Sequence, residues 1–222
     1  MTSKFIDESA LSVPAVALEQ VRQELGRLGD KLRAMLIEFP ATPGAVAEAT
    51  FGEIVARRNQ VQALEAAILD FLARIRKGAL TPADSDTQVR LTTAALHFRE
   101  VADVVADDLV GVVRDLGERS GHSRTIETAV LSAFYQAVQR AVELAGQAVR
   151  AQDVAAASRV IEVSDSAQKM AEDLITRLAG GLTFGGPEAL EVLRLQTSFV
   201  NGLRQIAMLA GRVGHTVLVQ SE

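Results

Sequence analysis

The stretch from 91 to 116 reads LTTAALHFREVADVVADDLVGVVRDL. Its apolar residues recur every three or four positions, which is the spacing of one face of an α-helix. We therefore predict one amphipathic helix with an inner face that packs and an outer face that meets solvent or a partner. The predicted inner face consists of Leu91, Ala94, Phe98, Val101, Val105, Leu109, Val112 and Leu116.

The outer face of this helix carries one histidine and three acids, His97, Glu100, Asp103 and Asp107. Their spacing places them within about a third of the helix circumference. Oxygen ligands that converge in this way can hold a divalent metal ion or iron, so Glu100, Asp103 and Asp107 are the candidate metal ligands. Acids are also ordinary on the solvent face of an amphipathic helix, and both interpretations stay open.

Part of this helix returns later in the chain. Residues 98–103 (FREVAD) are echoed by residues 203–208 (LRQIAM), a little over a hundred positions further on. Such an echo predicts two copies of one supersecondary unit, each covering the apolar face of the other. The second copy has Gln205, Met208 and Arg212 in place of the three acids, so a symmetric pair of metal clusters is not predicted.

The remaining helices follow from the same periodicity and from start and stop signals. We predict helices at about 14–39, 45–77, 81–118, 124–149, 153–179 and 187–219, with a turn at 117–123 between the two copies. Pro14 suits a first helical turn, and Gly78 is expected to be a left-handed cap. The predicted seam of the first helix is Leu18, Val21, Leu25, Leu28, Leu32, Met35 and Phe39.

These observations predict an all-α protein. Two tandem three-helix repeats, residues 1–118 and 119–222, are expected to form an elongated six-helix bundle that is a single domain over residues 1–222. Three glycines inside the last helix, Gly202, Gly211 and Gly214, predict close helix contacts or a kink. The polar group at 57–60 (RRNQ) interrupts the stripe of the second helix, and is either solvated, a point where the helix leaves the bundle, or a ligand contact.

Composition excludes several functional classes. A chain of 222 residues can bury roughly seven tenths of its unfolded surface, so it needs no metal or disulfide for stability. The absence of Cys excludes thiolate zinc sites and cysteine nucleophiles. The net charge of −5 and the scattered basic residues indicate that the protein does not bind nucleic acid. Neither a membrane span nor a secretory signal is predicted, so a cytoplasmic location is expected.

The sequence predicts no enzymatic activity and no required cofactor. Its three histidines occur in no spacing typical of a metal pair or of a Ser-His-acid set. A di-iron oxidase built on a helical bundle would need two Glu-x-x-His motifs, and the chain contains none.

Three stretches carry a resemblance to a known family. Taken in order, residues 5–18, 98–108 and 203–218 resemble the PhoU-like helical domain at the cytoplasmic C-terminal end of bacterial sodium/phosphate cotransporters. The first stretch is similar to the segment that follows the last membrane helix, the second to the PhoU signature around an acid, and the third to the closing helix. The resemblance implies a PhoU-like bundle across the whole chain.

The same resemblance implies an accessory or regulatory role in sodium-dependent phosphate transport. The partner would be a membrane phosphate transporter, in cis or in trans, contacted at the inner face of the membrane by what we expect to be a homodimer. In PhoU proteins each repeat carries a Glu/Asp-x-x-x-Asp motif that can hold a multinuclear metal cluster. Here only Asp103 matches, because Arg99 stands where the first acid would be, and the second copy has Arg204 and Met208.

Two alternatives to this function remain open. One is a stand-alone PhoU-type regulator of phosphate uptake that binds metal through the acid stripe. The other is a structural helical scaffold whose apolar seams recruit partner helices.

Overall fold

The computed structural model describes residues 3–40, 48–119, 128–180 and 186–218, and these ranges contain helices and no strand. A 3-10 turn, Glu8–Ser12, precedes the first helix, and a π-helical segment, Val104–Leu109, joins the third helix to the fourth without a break. The predicted all-α six-helix bundle is therefore confirmed, because the third helix, the π-helical segment and the fourth helix form one continuous helix. The helices are α1 (Pro14–Glu38), α2 (Glu48–Ile75), α3 (Pro82–Asp103), α4 (Val110–Glu118), α5 (Thr128–Ala151), α6 (Val154–Gly180) and α7 (Pro187–Leu218).

Two pairs of helices that hold the same place in the two predicted repeats are neighbours. α1 packs against α5, and α3 packs against α7. This is the arrangement in which each repeat covers the apolar face of the other. The division at residues 118 and 119 stays a prediction, and residues 120–123 of the predicted turn lie outside the described ranges.

The predicted inner face of α1 is confirmed, and α7 buries one face in the same way. All seven seam residues predicted for α1 are at most 2% exposed, which makes them the centre of the core. In α7 the buried residues include Val192, Leu195, Phe199, Leu203, Ile206, Ala210, Val213 and Val217. The largest core cluster draws residues from α1 to α7, so both predicted repeats share one core.

Local signals at the helix ends are partly confirmed. Pro14 occupies the first turn of α1, as predicted. Thr81 caps α3, because its Oγ1 accepts a hydrogen bond of 3.1 Å from the backbone N–H of Asp84. The prediction of a left-handed cap at Gly78 is wrong, since no glycine in the described ranges has a positive φ. Instead, the Gly78 N–H donates to the carbonyl of Ile75 over 3.0 Å, which tightens the last turn.

The predicted continuous α-helix at 91–116 is interrupted by the π-helical segment. A π-turn contains one residue more than an α-turn, so the residues that follow it rotate relative to the predicted face. Val113 is consequently fully buried, whereas Val112, the residue predicted to face inward, is half-buried. The prediction of one uninterrupted α-helix is therefore wrong over Val104–Leu109.

The glycines of α7 lie at close helix contacts, as predicted. A Cβ atom on Gly202 would come 2.5 Å from Cδ2 of Leu109, which belongs to the π-helical segment. A Cβ atom on Gly211 would come 2.7 Å from Oγ of Ser164 on α6, and one on Gly214 would come 3.1 Å from the carbonyl oxygen of Ala157. Since a larger residue would clash, these glycines let α7 approach its neighbours closely. Within the described ranges, no helix combines the length and apolar character needed to cross a bilayer.

Candidate functional site

A polar row interrupts the apolar surface of α2. Arg58, Gln62 and Glu65 are spaced by four and three positions, so an α-helix places them on one side. On α3 and the π-helical segment, Arg99, Asp103 and Asp107 recur every four positions and form a second row. The two rows lie opposite each other and are called the α2–α3 polar face below.

Hydrogen bonds and ion pairs join the two rows. Arg58 Nη2 donates to Asp107 Oδ1 over 2.7 Å, and Gln62 Nε2 donates to Asp103 Oδ1 over 3.1 Å. Arg99 Nε lies 3.4 Å from the other carboxylate oxygen of Asp103, within a turn of the same helix. The Asp103 carboxylate therefore contacts the Gln62 amide of α2 on one oxygen and lies near the Arg99 guanidinium of α3 on the other, so both helices stabilise its negative charge.

The inner end of this face contains a buried carboxyl group. Glu65 is only 3% exposed, and its Oε1 has no hydrogen-bond partner in the described part of the chain. Burial raises the pKa of Glu65 above its ordinary value, because a carboxylate loses hydration there. The nearby charge of Arg99 opposes this rise in the pKa of Glu65, whereas the charge of Asp103 adds to it.

On its other side α3 presents polar groups to α7. Gln205 Nε2 lies 3.5 Å from Glu100 Oε1, at the limit of a hydrogen bond. His97 Nδ1 lies 3.9 Å from Glu100 Oε2, and the imidazole is mostly covered. Burial lowers the pKa of His97, and the cation of Arg212 lowers it further, while Glu100 opposes both effects. His97 and Glu100 thus face α7, and Asp103 and Asp107 face α2.

The polar group at 57–60 does not mark a point where α2 leaves the bundle. Arg57 pairs with Glu38 of α1, and Lys31 of α1 donates to Gln60 over 3.3 Å. Arg58 turns the other way and pairs with Asp107. This group therefore connects α2 with both of its neighbours in the first predicted repeat.

The three predicted metal ligands do not share one partner. Glu100 is directed toward α7, whereas Asp103 and Asp107 both contact Arg58. In the ranges that the structure describes, no group of three or more histidine or acidic side chains has the arrangement of a metal site. Metal binding at Glu100, Asp103 and Asp107 stays a prediction. Arg58 supplies a positive charge next to two of these acids, and a metal ion would have to displace it or bind beside it.

The contribution of α2 to this face is only partly visible in the sequence. The stretch at 57–60 is conspicuous as a break in the apolar stripe, but Gln62 and Glu65 are easily taken for part of the solvated side. A usable signal is the match in spacing between the polar row of α2 and the row at 99, 103 and 107. Antiparallel helices with matched polar rows can pair them across the contact.

The fold and this charged face define a class of protein. It is an all-helical bundle in which two three-helix units share one core and carry an ion-paired surface at one helix pair.

The structure is similar to the crystal structure of PhoU from Pseudomonas aeruginosa, with a TM-score of 0.74 and 15% sequence identity. The similarity covers 96% of this chain and 99% of that chain. No protein-family model matches the sequence, and neither does any curated protein. The predicted PhoU-like fold is thus confirmed.

Proposed function

We propose that this protein is a cytoplasmic accessory or regulatory component of sodium-dependent phosphate uptake, which acts by contact with a membrane phosphate transporter. The observation that carries the proposal is the similarity to PhoU over 96% of the chain. A match of this extent includes both three-helix units, so the whole architecture is shared. The link with sodium/phosphate cotransporters rests on the sequence resemblance at 5–18, 98–108 and 203–218.

Contact with another protein agrees with the chemistry of the α2–α3 polar face. Asp107 is 52% exposed although it pairs with Arg58, so one side of its carboxylate remains available to a partner. Glu100, on the side of α3 that faces α7, is also 48% exposed. Exposed carboxylates on rigid helices can accept hydrogen bonds from lysine or arginine side chains of a partner. The partner surface is accordingly expected to be basic, as cytoplasmic loops of membrane proteins generally are.

The experiment compares two charge reversals in binding to inner-membrane vesicles that contain an overproduced phosphate transporter. Asp107→Lys reverses a charge on the α2–α3 polar face. Asp30→Lys is the matched control, because Asp30 is an exposed aspartate that pairs with an arginine, Arg150, from another helix. The proposal predicts that the wild-type protein and Asp30→Lys bind these vesicles better than vesicles lacking the transporter. Asp107→Lys is expected to bind about tenfold more weakly, the effect of losing one charged contact.

Equal binding of the wild-type protein to vesicles with and without the transporter would contradict the proposal. If Asp107→Lys and Asp30→Lys bind as the wild type does, the contact lies on another surface. Self-association as a homodimer is part of the proposal, and light scattering of the purified protein measures it directly. A mass of about 24 kDa, equal to that of the single chain, would count against the dimer.

A further inference from the structure

Apolar and charged side chains lie exposed together where α3 and α7 pack side by side. On α3, Val89, Leu96 and Glu100 are separated by seven and four positions, so they lie on one side of the helix. Each of these three side chains is about half exposed. On α7, Arg212 is exposed and Met208, one turn before it, is half-buried. These five residues are called the α3–α7 face below.

Two contacts fix how the helices are aligned along this face. Gln205 Nε2 of α7 lies 3.5 Å from Glu100 Oε1 of α3. Burial lowers the pKa of His97, and Arg212 lies close enough for its charge to lower this pKa further. Because residue numbers rise on α7 as they fall on α3, the two helices are antiparallel. Glu100 follows His97 by three positions, so Arg212 and Glu100 are separated by about one turn along the helix axis.

Glu100 and Arg212 have opposite charges but form no ion pair with each other in the described part of the chain. Glu100 lies 3.5 Å from the Gln205 amide and 3.9 Å from the His97 imidazole, and both contacts are long. Arg212 Nη2 donates to Sδ of Met208 over 4.0 Å. Sulfur is a weak acceptor. Each of the two charges can therefore still pair with a group of opposite sign from outside the chain.

The mixture of charges on this face selects among partners. A basic partner would pair with Glu100 but would be repelled by Arg212, and an acidic partner would have the reverse difficulty. A second copy of the chain carries both charges at the same spacing. The α3–α7 face is therefore complementary to itself, which is the requirement for a twofold interface.

One arrangement of two copies satisfies both charges. A twofold axis parallel to the helices brings α3 of each copy over α7 of the other at the same level. Glu100 of each copy then meets Arg212 of the other, so the ion pair occurs twice. The same rotation lays Leu96 over Met208, a flexible side chain that adapts to its neighbour, and removes apolar surface from water. Val89, two turns before Leu96, lengthens the apolar part of the contact.

We propose that the α3–α7 face is the interface of a homodimer, in which Glu100 of each copy pairs with Arg212 of the other and Leu96 packs on Met208. The inference rests on the homodimer included in the proposed function, and it assigns a surface to that dimer. Asp107 faces α2 and pairs with Arg58, so it lies outside these contacts and stays available to a transporter.

The test uses two charge reversals, Glu100→Arg and Arg212→Glu, first alone and then mixed. Each variant alone has like charges at both contacts of its dimer, and its dimer affinity is expected to fall about a hundredfold. In a 1:1 mixture, the heterodimer has the two reversed residues at one contact and the two native residues at the other. Both contacts are then attractive, so the mixture is expected to regain the dimer that neither variant forms alone. Light scattering over a range of concentrations measures the mass.

Arg140→Glu is the control, because Arg140 is an exposed arginine of α5 and lies outside the face. This variant is expected to form dimers as the wild type does. A wild-type mass of about 24 kDa at all concentrations would overturn the dimer and its interface together. If the wild type is a dimer but neither reversal weakens it, or if the mixture stays monomeric, the dimer stands and the α3–α7 face is refuted. The vesicle experiment tests the transporter contact separately.

A second pair of variants tests the apolar part of the interface. Leu96→Asn is expected to weaken the dimer at least about tenfold, because each dimer buries this side chain twice. Leu190→Asn is the matched control, since Leu190 is also about half exposed but lies near the start of α7, about 27 Å from Met208 along the helix. Equal dimer affinities of the two variants would refute the packing of Leu96 in the interface.

Discussion

The crossing of α1 and α5 makes a sharp prediction about glycine substitutions. Gly29 of α1 faces Gly146 of α5, and a Cβ atom added to Gly29 would come 2.8 Å from the Cα atom of Gly146. Because the atom it meets is main chain, relief requires the two helices to separate. This crossing connects the two predicted repeats, so the substitution tests how they are packed.

The magnitude follows from two opposing effects. Overpacking a tight contact costs about 1–3 kcal/mol. Alanine in place of glycine inside a helix contributes about 1 kcal/mol in the other direction. We expect Gly29→Ala to lower the free energy of unfolding by about 1–2 kcal/mol, because the main-chain atoms of Gly146 cannot move aside as a flexible side chain can. For a chain of this length the corresponding fall in Tm is about 3–6 °C.

Gly52→Ala is the matched control. Gly52 also lies inside a helix, α2, but a Cβ atom there would meet nothing within 4 Å. This variant is expected to be more stable than the wild type by about 0.5–1 kcal/mol. The two substitutions are chemically identical, so their opposite signs would isolate the helix contact. Thermal unfolding followed by circular dichroism measures both. If Gly29→Ala is stabilised as much as Gly52→Ala, the close crossing of α1 and α5 is refuted.

Three further predictions address buried polar groups and the acid stripe. Burial raises the pKa of Glu65, so the stability that its protonated form contributes is present at low pH and is lost as the pH rises above 4.5, the ordinary pKa of the group. Glu65→Gln should therefore be more stable than the wild type at pH 7. In thermal scans, this difference in stability should shrink toward pH 4. The Tyr135 hydroxyl donates to the carbonyl of Leu36 over 2.6 Å. Tyr135→Phe is therefore expected to lower the free energy of unfolding by about 1 kcal/mol, or the Tm by about 2–4 °C. An unchanged Tm would contradict this hydrogen bond. If Glu100, Asp103 and Asp107 hold a divalent metal ion, elemental analysis should find it after dialysis. Arg58→Ala removes a competing cation from Asp107 and should then bind manganese more tightly than the wild type. Equal or weaker manganese binding by Arg58→Ala would refute the competition between Arg58 and the metal ion.

Periodicity predicts the helices and the core of this protein well. The seam from Leu18 to Phe39 and the inner face of α7 are buried because a spacing of three and four positions leaves only one side of a helix apolar. Pro14 and Thr81 also act locally: Pro14 has a fixed φ and lacks the N–H that a first helical turn leaves unpaired, and Thr81 accepts a hydrogen bond through its side chain. Features of this kind depend on residues that are near in sequence, which is why they can be read directly.

The π-helical segment and the left-handed cap illustrate what periodicity does not predict. Val104–Leu109 reads as ordinary α-helix, and the extra residue in its turn depends on packing, since Leu109 lies against Gly202 of α7. Gly78 is a frequent kind of cap residue, but the chain ends α2 with tightened turns instead. The π-helical segment thus involves a contact with another helix, and at Gly78 local hydrogen bonds close the turn without a left-handed residue, so residue propensity alone does not determine either outcome.

The candidate site shows the same division. Helical spacing correctly places Asp103 and Asp107 on the outer side of their helix, but it contains no information on which helix lies across from them. Arg58 reaches both acids because α2 and α3 pack antiparallel in one particular register. A stripe of acids that resembles a metal site in one helix is thus partly neutralised by an arginine from another.

The most direct test of the central claim is the rate of phosphate uptake by cells that lack this protein. Uptake of labelled phosphate is measured at low and at high external phosphate, with the wild-type protein restored as the control. We expect deletion to change the uptake rate, or its response to external phosphate, and the restored protein to correct the change. Uptake that is identical with and without the protein under both conditions would contradict a role in phosphate transport.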